Sequence, residues 1–474
     1  MSWPARSRFE GVARRQVRRK DLLAHAIAVL TPSLSALGAG LSLPSVVGPG
    51  FWISTLAGFG LALLLSSILS EFAQRFASGG SLYTFTAKGL GPHAALIVGV
   101  SLLLGYGVLV GAGVTGAVQR SGSAWFALSG HQVSHGADLV GVVVVTVACV
   151  GIIAAGISFA SRVALVVEAA SIVVLAVVLG ALVYRFGMPG WQALSLNGAS
   201  PGKIVAGAAL IATLTVAFES CAALGLEAER PMRDIPFAMR GGLLLTGGLF
   251  MAANAVGTVL PETMNVWSFR WFGIGQKVSP LDALVLVLLA ASYVALAFCA
   301  WNALARLIFS FAREGVLPSV MGATTSRGVP WLAVAVVVPV VLVVPIVRWL
   351  SGETPSAGSW AMLRVATEVV SIAYGITAVA LVFFLVRIDE RPSTAVKAAV
   401  GVIGVVGVLA ERFVAEAAHD ERTMLTWLAA VVIASAVWRG AVTRRLSHHR
   451  AVLGAHEEPL ASEVVLSRGA EPAP

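Results

Sequence analysis

Glu219 is the residue of this chain whose setting most demands chemistry. It lies in an apolar segment of membrane length that starts near Gly202, within Phe218-Glu219-Ser220-Cys221. The segment leaves through Glu227-Ala228-Glu229-Arg230-Pro231-Met232-Arg233-Asp234-Ile235-Pro236. A carboxylate near the centre of a bilayer costs on the order of 3 kcal/mol on insertion scales, so a chain that keeps one has a use for it. Two uses are open. The carboxyl can be structural, protonated or paired inside a helix bundle, or it can take up and release a proton as its surroundings change.

Other polar groups share the apolar runs. Glu168 and Glu368 could act as secondary proton or packing partners, and Tyr106, Asn302 and Tyr374 could line a cavity. Arg306, four residues after Asn302, is expected to extend with Arg313 toward the cytoplasmic interface. Cys149, Cys221 and Cys299 all fall in apolar runs without paired or metal-ligand spacing, which makes them small apolar fillers. Cys221 is the exception to watch, because it adjoins Glu219 two residues away. No phosphate loop, HExxH, GxSxG elbow or paired-cysteine motif is placed to serve an enzyme, and the histidines are mostly in loops or tails. No catalytic residue, metal or cofactor is therefore expected.

The elements that must position these groups are membrane helices. Of the 474 residues, 57% are hydrophobic and only 12% are charged, about half the charged share of a soluble domain. Mean hydropathy is +0.87. Apolar runs of about 20 residues, the length that crosses the hydrocarbon core, recur between charged or Gly/Pro-rich separators. They fall at 22–47, 51–75, 93–119, 138–158, 161–184, 203–226, 239–260, 279–311, 329–348, 363–387, 395–414 and 423–439. Twelve spans follow, in one transmembrane domain over 22–439. A basic tail (1–21) precedes it, and a tail (440–474) of mixed charge, Pro and Ala, read as disordered, follows it.

Charge supports that count. With the N-terminus in the cytoplasm, 24 of the 33 Lys and Arg fall on the cytoplasmic side and 9 outside. One miscounted span would invert every later loop and degrade the asymmetry. Both termini are then cytoplasmic, and the setting is the cytoplasmic membrane. The cluster Arg14-Arg15-Gln16-Val17-Arg18-Arg19-Lys20 lacks interleaved aromatics and abuts an apolar helix. It reads as a topology signal with anionic-lipid contact and not as a nucleic-acid surface. It is expected to stay attached, since no small-residue cleavage pattern follows.

Two spans carry interruptions. In the first, Thr31-Pro32-Ser33-Leu34-Ser35-Ala36-Leu37-Gly38-Ala39-Gly40 brings a proline without a backbone donor and two glycines without side chains to hold helix geometry. In the sixth, Ala217-Phe218-Glu219-Ser220 lies some fifteen residues inside the run. If spans 1–5 and 6–10 form two halves, the breaks occupy matching first positions, and half-helix ends there can hold an anionic and a cationic group.

The chain resembles the amino acid/polyamine/organocation permease family. Ser78-Gly79-Gly80-Ser81-Leu82-Tyr83 with Gly91-Pro92 is similar to the family's SGG-x-Y segment before span 3. Phe218-Glu219-Ser220, Glu229-Arg230-Pro231 and Asp234-Ile235-Pro236 are similar to its F-E-S and E-x-P-x-x-x-I-P run. Arg306 with Phe311-Ala312-Arg313-Glu314-Gly315-Val316-Leu317-Pro318 is similar to its R-x-x-x-x-x-A-R-D-G-x-L-P. The resemblance implies an all-α integral membrane protein of about twelve helices, a five-plus-five inverted repeat with helices 1 and 6 broken and two helices added. It implies a small-molecule substrate between the breaks, its carboxylate and amine held mainly by backbone near Ser33 to Gly40 and Ala217 to Cys221. The family's G-S-G-I-F run in span 1 is replaced here, which leaves the register of that half open by several residues.

The expectation is a secondary transporter moving an amino acid or related amine by alternating access, coupled to protons or working as an exchanger. Sodium coupling would need span 8 hydroxyls facing span 1, and span 8 offers Ser292 and Ser310. The candidate substrate residues are Ser33, Ser35, Ala36, Gly38, Gly40, Tyr106, Ala217, Phe218, Ser220, Cys221 and Asn302, with Glu219 as the proton-coupling group. The alternative is a receptor or sensor that binds the same ligand without moving it. A receptor would be expected to carry a soluble domain, and about 35 residues follow the last span.

Overall fold

The computed structural model describes residues 11, 15–261, 264, 279–389, 392–418, 423–447 and 453–454. Among them the chain is helical, with one isolated bridge between Val17 and Ala228 in place of any strand. Among the described residues, twelve helices are long and apolar enough to cross a membrane. These are span 1 (Arg19–Val47), span 2 (Phe51–Ala73), span 3 (Pro92–Ser129), span 4 (His135–Ala154), span 5 (Ile157–Phe186) and span 6 (Pro201–Leu224). Span 7 (Pro231–Gly257), span 8 (Pro280–Arg313), span 9 (Trp331–Leu350), span 10 (Ser359–Arg387), span 11 (Thr394–Ala415) and span 12 (Met424–Thr443) follow.

Burial sorts the spans into an inner bundle and an outer ring. The apolar stretch of span 1 is 94% buried and that of span 8 is 72% buried, whereas spans 11 and 12 reach 17%. Spans 1, 3, 6, 8 and 10 form the inside. Hydrophobicity alone cannot make that selection in lipid, where association rests on close packing of small residues. The broadest contact joins spans 3 and 8. There a Cβ on Gly113 would stand 2.8 Å from the Cβ of Ala297, so only glycine lets the two backbones come so close.

Span 3 runs ten residues past the expected end at 119, to Ser129. Arg120, the first residue past that end, therefore lies on the helix. A hydropathy window stops at the first charges, while a helix whose polar residues face a wet vestibule continues past them. The segment opening at Ser78 is likewise more than a loop: it leads into a short helix, Leu82–Leu90, on which Leu82 to Thr86 are buried. At the other end of the chain the last helix reaches Ser447.

The breaks in spans 1 and 6 share a device. The first half of span 1 (Arg19–Leu30) stops at Thr31, which adopts a left-handed conformation with φ 40° and gives its N–H to Ile27. The chain re-enters at Pro32–Ser35, widens into a π-turn at Ala36–Gly40, and resumes as Leu41–Val47. The first half of span 6 (Pro201–Leu214) stops short of Ala217, again left-handed with φ 63°, and continues as the tighter 3-10 helix Phe218–Leu224. A non-glycine residue there costs about 1–2 kcal/mol, so the surroundings must hold each break in place.

Candidate functional site

What holds the span 6 break is Glu219. It is fully buried, and Tyr106 of span 3 donates to its Oε1 at 2.7 Å. Tyr374 of span 10 donates to its Oε2 and accepts the N–H of Ala217 at 2.9 Å. One phenol therefore satisfies both the backbone donor freed by the break and the carboxylate two residues on. The ring of Phe218 packs on Tyr374 with centroids 5.5 Å apart. His25 of span 1 meets the Ser220 hydroxyl at 3.2 Å, which ties the two broken spans together.

This arrangement can respond to a proton. Ionised, the carboxylate accepts from both phenols. Once protonated it becomes a donor at one oxygen, and the facing phenol must turn to accept. A single proton thus alters the bonds that join spans 3, 6 and 10.

A cavity of about 330 Å³ opens where the two breaks meet, within the size range of small-molecule sites. Thr31 and Ser35 line it from span 1, Thr213 and Val216 from span 6, Arg120 from span 3, Tyr293 from span 8, and Ser359 and Trp360 from span 10. Val216 adjoins Ala217, so the cavity wall is one residue away from the break that the Glu219 cluster holds.

Below span 6 a second polar cluster forms. Arg306 is buried and grips Glu227 with two bonds of 2.9 Å, and it also donates to the Asn302 carbonyl at 3.1 Å and to Asn302 Oδ1 at 2.9 Å. Arg306 therefore does not extend to the interface. The segment leaving span 6 brings a carboxylate to it, and the pair is hidden together. Gln16 and Val17 donate to the Glu227 carbonyl at 2.9 and 3.0 Å, anchoring the N-terminal leg at the same point. Nearby, Tyr83 donates to Glu314, which also accepts the N–H of Gly454 at 3.1 Å. Burial, with the Glu314 carboxylate beside it, pushes the Tyr83 phenol well above its ordinary range, so Tyr83 keeps its proton.

The candidates from sequence divide among these places. Tyr106, Ala217, Phe218, Glu219 and Ser220 come together in the carboxylate cluster, and Ser35 reaches the cavity with its hydroxyl on the Leu30 carbonyl at 3.2 Å. Ser33 is buried at the break, its hydroxyl without a hydrogen-bond partner among the described residues. Cys221 is buried and directs its sulfur to the Phe218 carbonyl at 3.8 Å. Ala36 packs in an apolar cluster with Leu175 and Ala253, and the Gly38 carbonyl accepts from Ser42 at 3.0 Å. A Cβ on Gly40 would stand 3.0 Å from that of Ala253, which makes this glycine a packing notch against span 7. Asn302 holds Arg306. Ser292 turns to Ser171 of span 5 at 2.9 Å.

Arg120, Thr213, Tyr293, Ser359 and Trp360 also line the cavity, and none of them is among the candidates above. The one available signal was Arg120, a lone cation directly after a long apolar run.

The chain is similar to three proteins of Arabidopsis thaliana. It is 26% identical to cationic amino acid transporter 2, vacuolar, over 67% of this chain and 56% of that protein. It is 23% identical to cationic amino acid transporter 9, chloroplastic, over 60% and 54%, and 25% identical to cationic amino acid transporter 3, mitochondrial, over 63% and 54%. The chain spans little more than half the length of each. Residues 25–436 match the amino acid permease family, a stretch that begins in the first span and ends in the twelfth and takes in both breaks and the Glu219 cluster. On a match of that extent, the chain belongs to the amino acid permease family.

Proposed function

We propose that this protein is a secondary transporter that carries an amino acid or related amine across the cytoplasmic membrane by alternating access, driven by protons through Glu219. The observation that carries the reading is a buried carboxylate shared by two tyrosines at the break of span 6, next to a cavity walled by both broken spans. Substrate backbone groups would be met by main chain near Ser33 to Gly40 and near Ala217 to Cys221, with spans 1–5 and 6–10 as an inverted repeat moving against each other. Proton coupling fits better than sodium, because Ser292 is engaged with span 5 and not turned to span 1. Family membership and the names of the Arabidopsis relatives support an amino acid as cargo, and the 24-to-9 distribution of Lys and Arg supports cytoplasmic termini.

The test is uptake of labelled amino acids into proteoliposomes under an imposed pH gradient, comparing the parent with Glu219→Gln. The parent is expected to concentrate its substrate when the lumen is alkaline. The variant should bind substrate yet show gradient-driven accumulation reduced at least tenfold, while retaining exchange across the membrane. Gradient-driven accumulation equal to the parent's would remove Glu219 as the coupling group.

A further inference from the structure

Glu168 is a buried acid that the reading above leaves without a task. It belongs to the inner stripe of span 5, Ile157, Ala160, Ala164, Glu168, Ser171 and Leu175, whose three- and four-residue steps face the bundle while Leu165, Val166 and Val173 are exposed on the other side. It sits roughly 5 Å along the axis from the midpoint of this 30-residue helix, deep in the apolar layer. Glu168 is 2% exposed, and among the described residues neither carboxyl oxygen has a hydrogen-bond partner. Glu219 and Glu227, by contrast, have both oxygens engaged.

The surroundings of Glu168 suit an acid and not its anion. Span 5 packs against spans 4, 7 and 8 and against span 1 on both sides of Thr31. The Cys299 thiol of span 8 stands beside Glu168, and Cys149 of span 4 stands beside Cys299. On span 1, His25 meets Ser220. The buried cation of span 8, Arg306, is bonded to Glu227, and Tyr293 lies against Arg120. Arg18, Arg19, Lys20 and Arg313 lie at span ends, and Arg233 and Arg240 of span 7 are exposed. The acids of these elements are held near span ends: Asp21 by the Arg18 N–H, Asp282 by the Ser279 N–H, Asp138 by Ser356 and Asp234 by Arg19. The Ser292 hydroxyl stands alongside Glu168 and is paired with Ser171 at 2.9 Å. Because Ser171 donates to the Leu288 carbonyl at 3.4 Å, the Ser292 proton goes to Ser171 and the Ser292 oxygen is left as an acceptor. An acceptor serves a protonated carboxyl only.

We infer that Glu168 is a second proton-binding site, filled in this conformation and emptied when span 1 parts from span 5, so that each cycle moves two protons with the substrate. The inference rests on the transport reading above and adds the proton count. An unpaired carboxylate is too costly in so dry a setting, so the acid keeps its proton while the spans are packed this way. Thr31, with φ 40°, is the point at which the first half of span 1 can turn away and admit water to the stripe. The Glu168 O–H bond then breaks toward that water, which hydrates the carboxylate left behind. The site refills from water on the opposite side of the membrane when the other face opens.

The experiment uses the full chain in proteoliposomes. Infrared difference spectra, parent minus Glu168→Gln, are expected to show the carbonyl stretch of a protonated carboxyl at neutral pH. Uptake of a labelled mixture of the common amino acids is then followed to its plateau under a pH gradient of one unit, with the membrane potential clamped at zero, and the accumulated members are separated. Two protons concentrate a substrate about a hundredfold under these conditions and one proton about tenfold. The parent is expected at the first ratio and Glu168→Gln at the second. Glu168→Asp, which keeps the acid, should stay near the parent and carries the test if Glu168→Gln does not fold. Absence of the carboxyl band, a parent plateau of about tenfold, or a parent-like plateau in folded Glu168→Gln overturns the inference and leaves the transport reading standing. No accumulation of any amino acid by a folded parent overturns the proton-driven reading and the inference with it.

Discussion

At the scale of single residues, Glu219 and Glu227, both buried, have opposite characters. Glu219 meets neutral phenols, whose donors can turn, so its environment tolerates two protonation states. Glu227 meets a guanidinium, and Arg306 spends its donors on both carboxylate oxygens and on Asn302. The second arrangement is locked, because removing one partner of a buried pair strands the other charge. Arg306→Gln and Glu227→Gln are each expected to destabilise the protein by about 3–5 kcal/mol, with the double substitution recovering most of the loss. Melting of the three purified variants in detergent measures it. A double variant no better than the worse single would mean that the residues act separately. Glu219 announced itself in sequence as a carboxylate inside an apolar run. Its partners did not, since Tyr106 and Tyr374 lie 113 and 155 residues away in sequence and nothing local couples them. Arg306 was misjudged for the same reason: its expected course to the interface followed from its own helix, and Glu227 arrives from another.

At the scale of elements, the breaks decide what the bundle can do, and they were partly legible. Pro32, Gly38 and Gly40 marked the first, and the turn falls within that stretch, but the residue that bends is Thr31, held left-handed ahead of the proline. The second was marked by Glu219, while the bend lies at Ala217, a residue with no propensity to signal it. At Ala217 the strained conformation is held from another span, since Tyr374 accepts its N–H. Backbone strain at Ala217 makes two substitutions there act in opposite directions. Ala217→Gly removes the clash of Cβ with its own backbone and is expected to stabilise the fold by about 1 kcal/mol. Ala217→Val, β-branched in a left-handed conformation, is expected to destabilise it by at least as much. Thermal unfolding of the two purified variants separates them. If both lower the melting temperature equally, packing and not backbone strain governs the site.

For the whole molecule, bilayer thickness made the sequence easy to read. It sets a common length for every span, and among the described residues the twelve apolar runs match twelve helices with ends shifted by a few residues, except for ten at the end of span 3, eight at the start of span 7 and eight at the end of the last helix. Which spans lie inside could not be read so simply, because inner and outer helices are equally apolar; small-residue contacts such as Gly113 against Ala297 make that choice. Orientation follows from a different physical term, the uneven distribution of Lys and Arg, and can be tested without touching the transport site. All three native cysteines are buried, so a membrane-impermeant maleimide should read an introduced cysteine against a low background. Ser134, exposed between spans 3 and 4, and Ser326, exposed between spans 8 and 9, lie on opposite sides if twelve spans alternate from a cytoplasmic N-terminus. In intact bacterial cells expressing the protein, Ser134→Cys is expected to label at once and Ser326→Cys only after permeabilisation. The reverse pattern would turn the molecule over in the membrane. Labelling of both in intact cells would break the alternation and, with it, the count of spans between them.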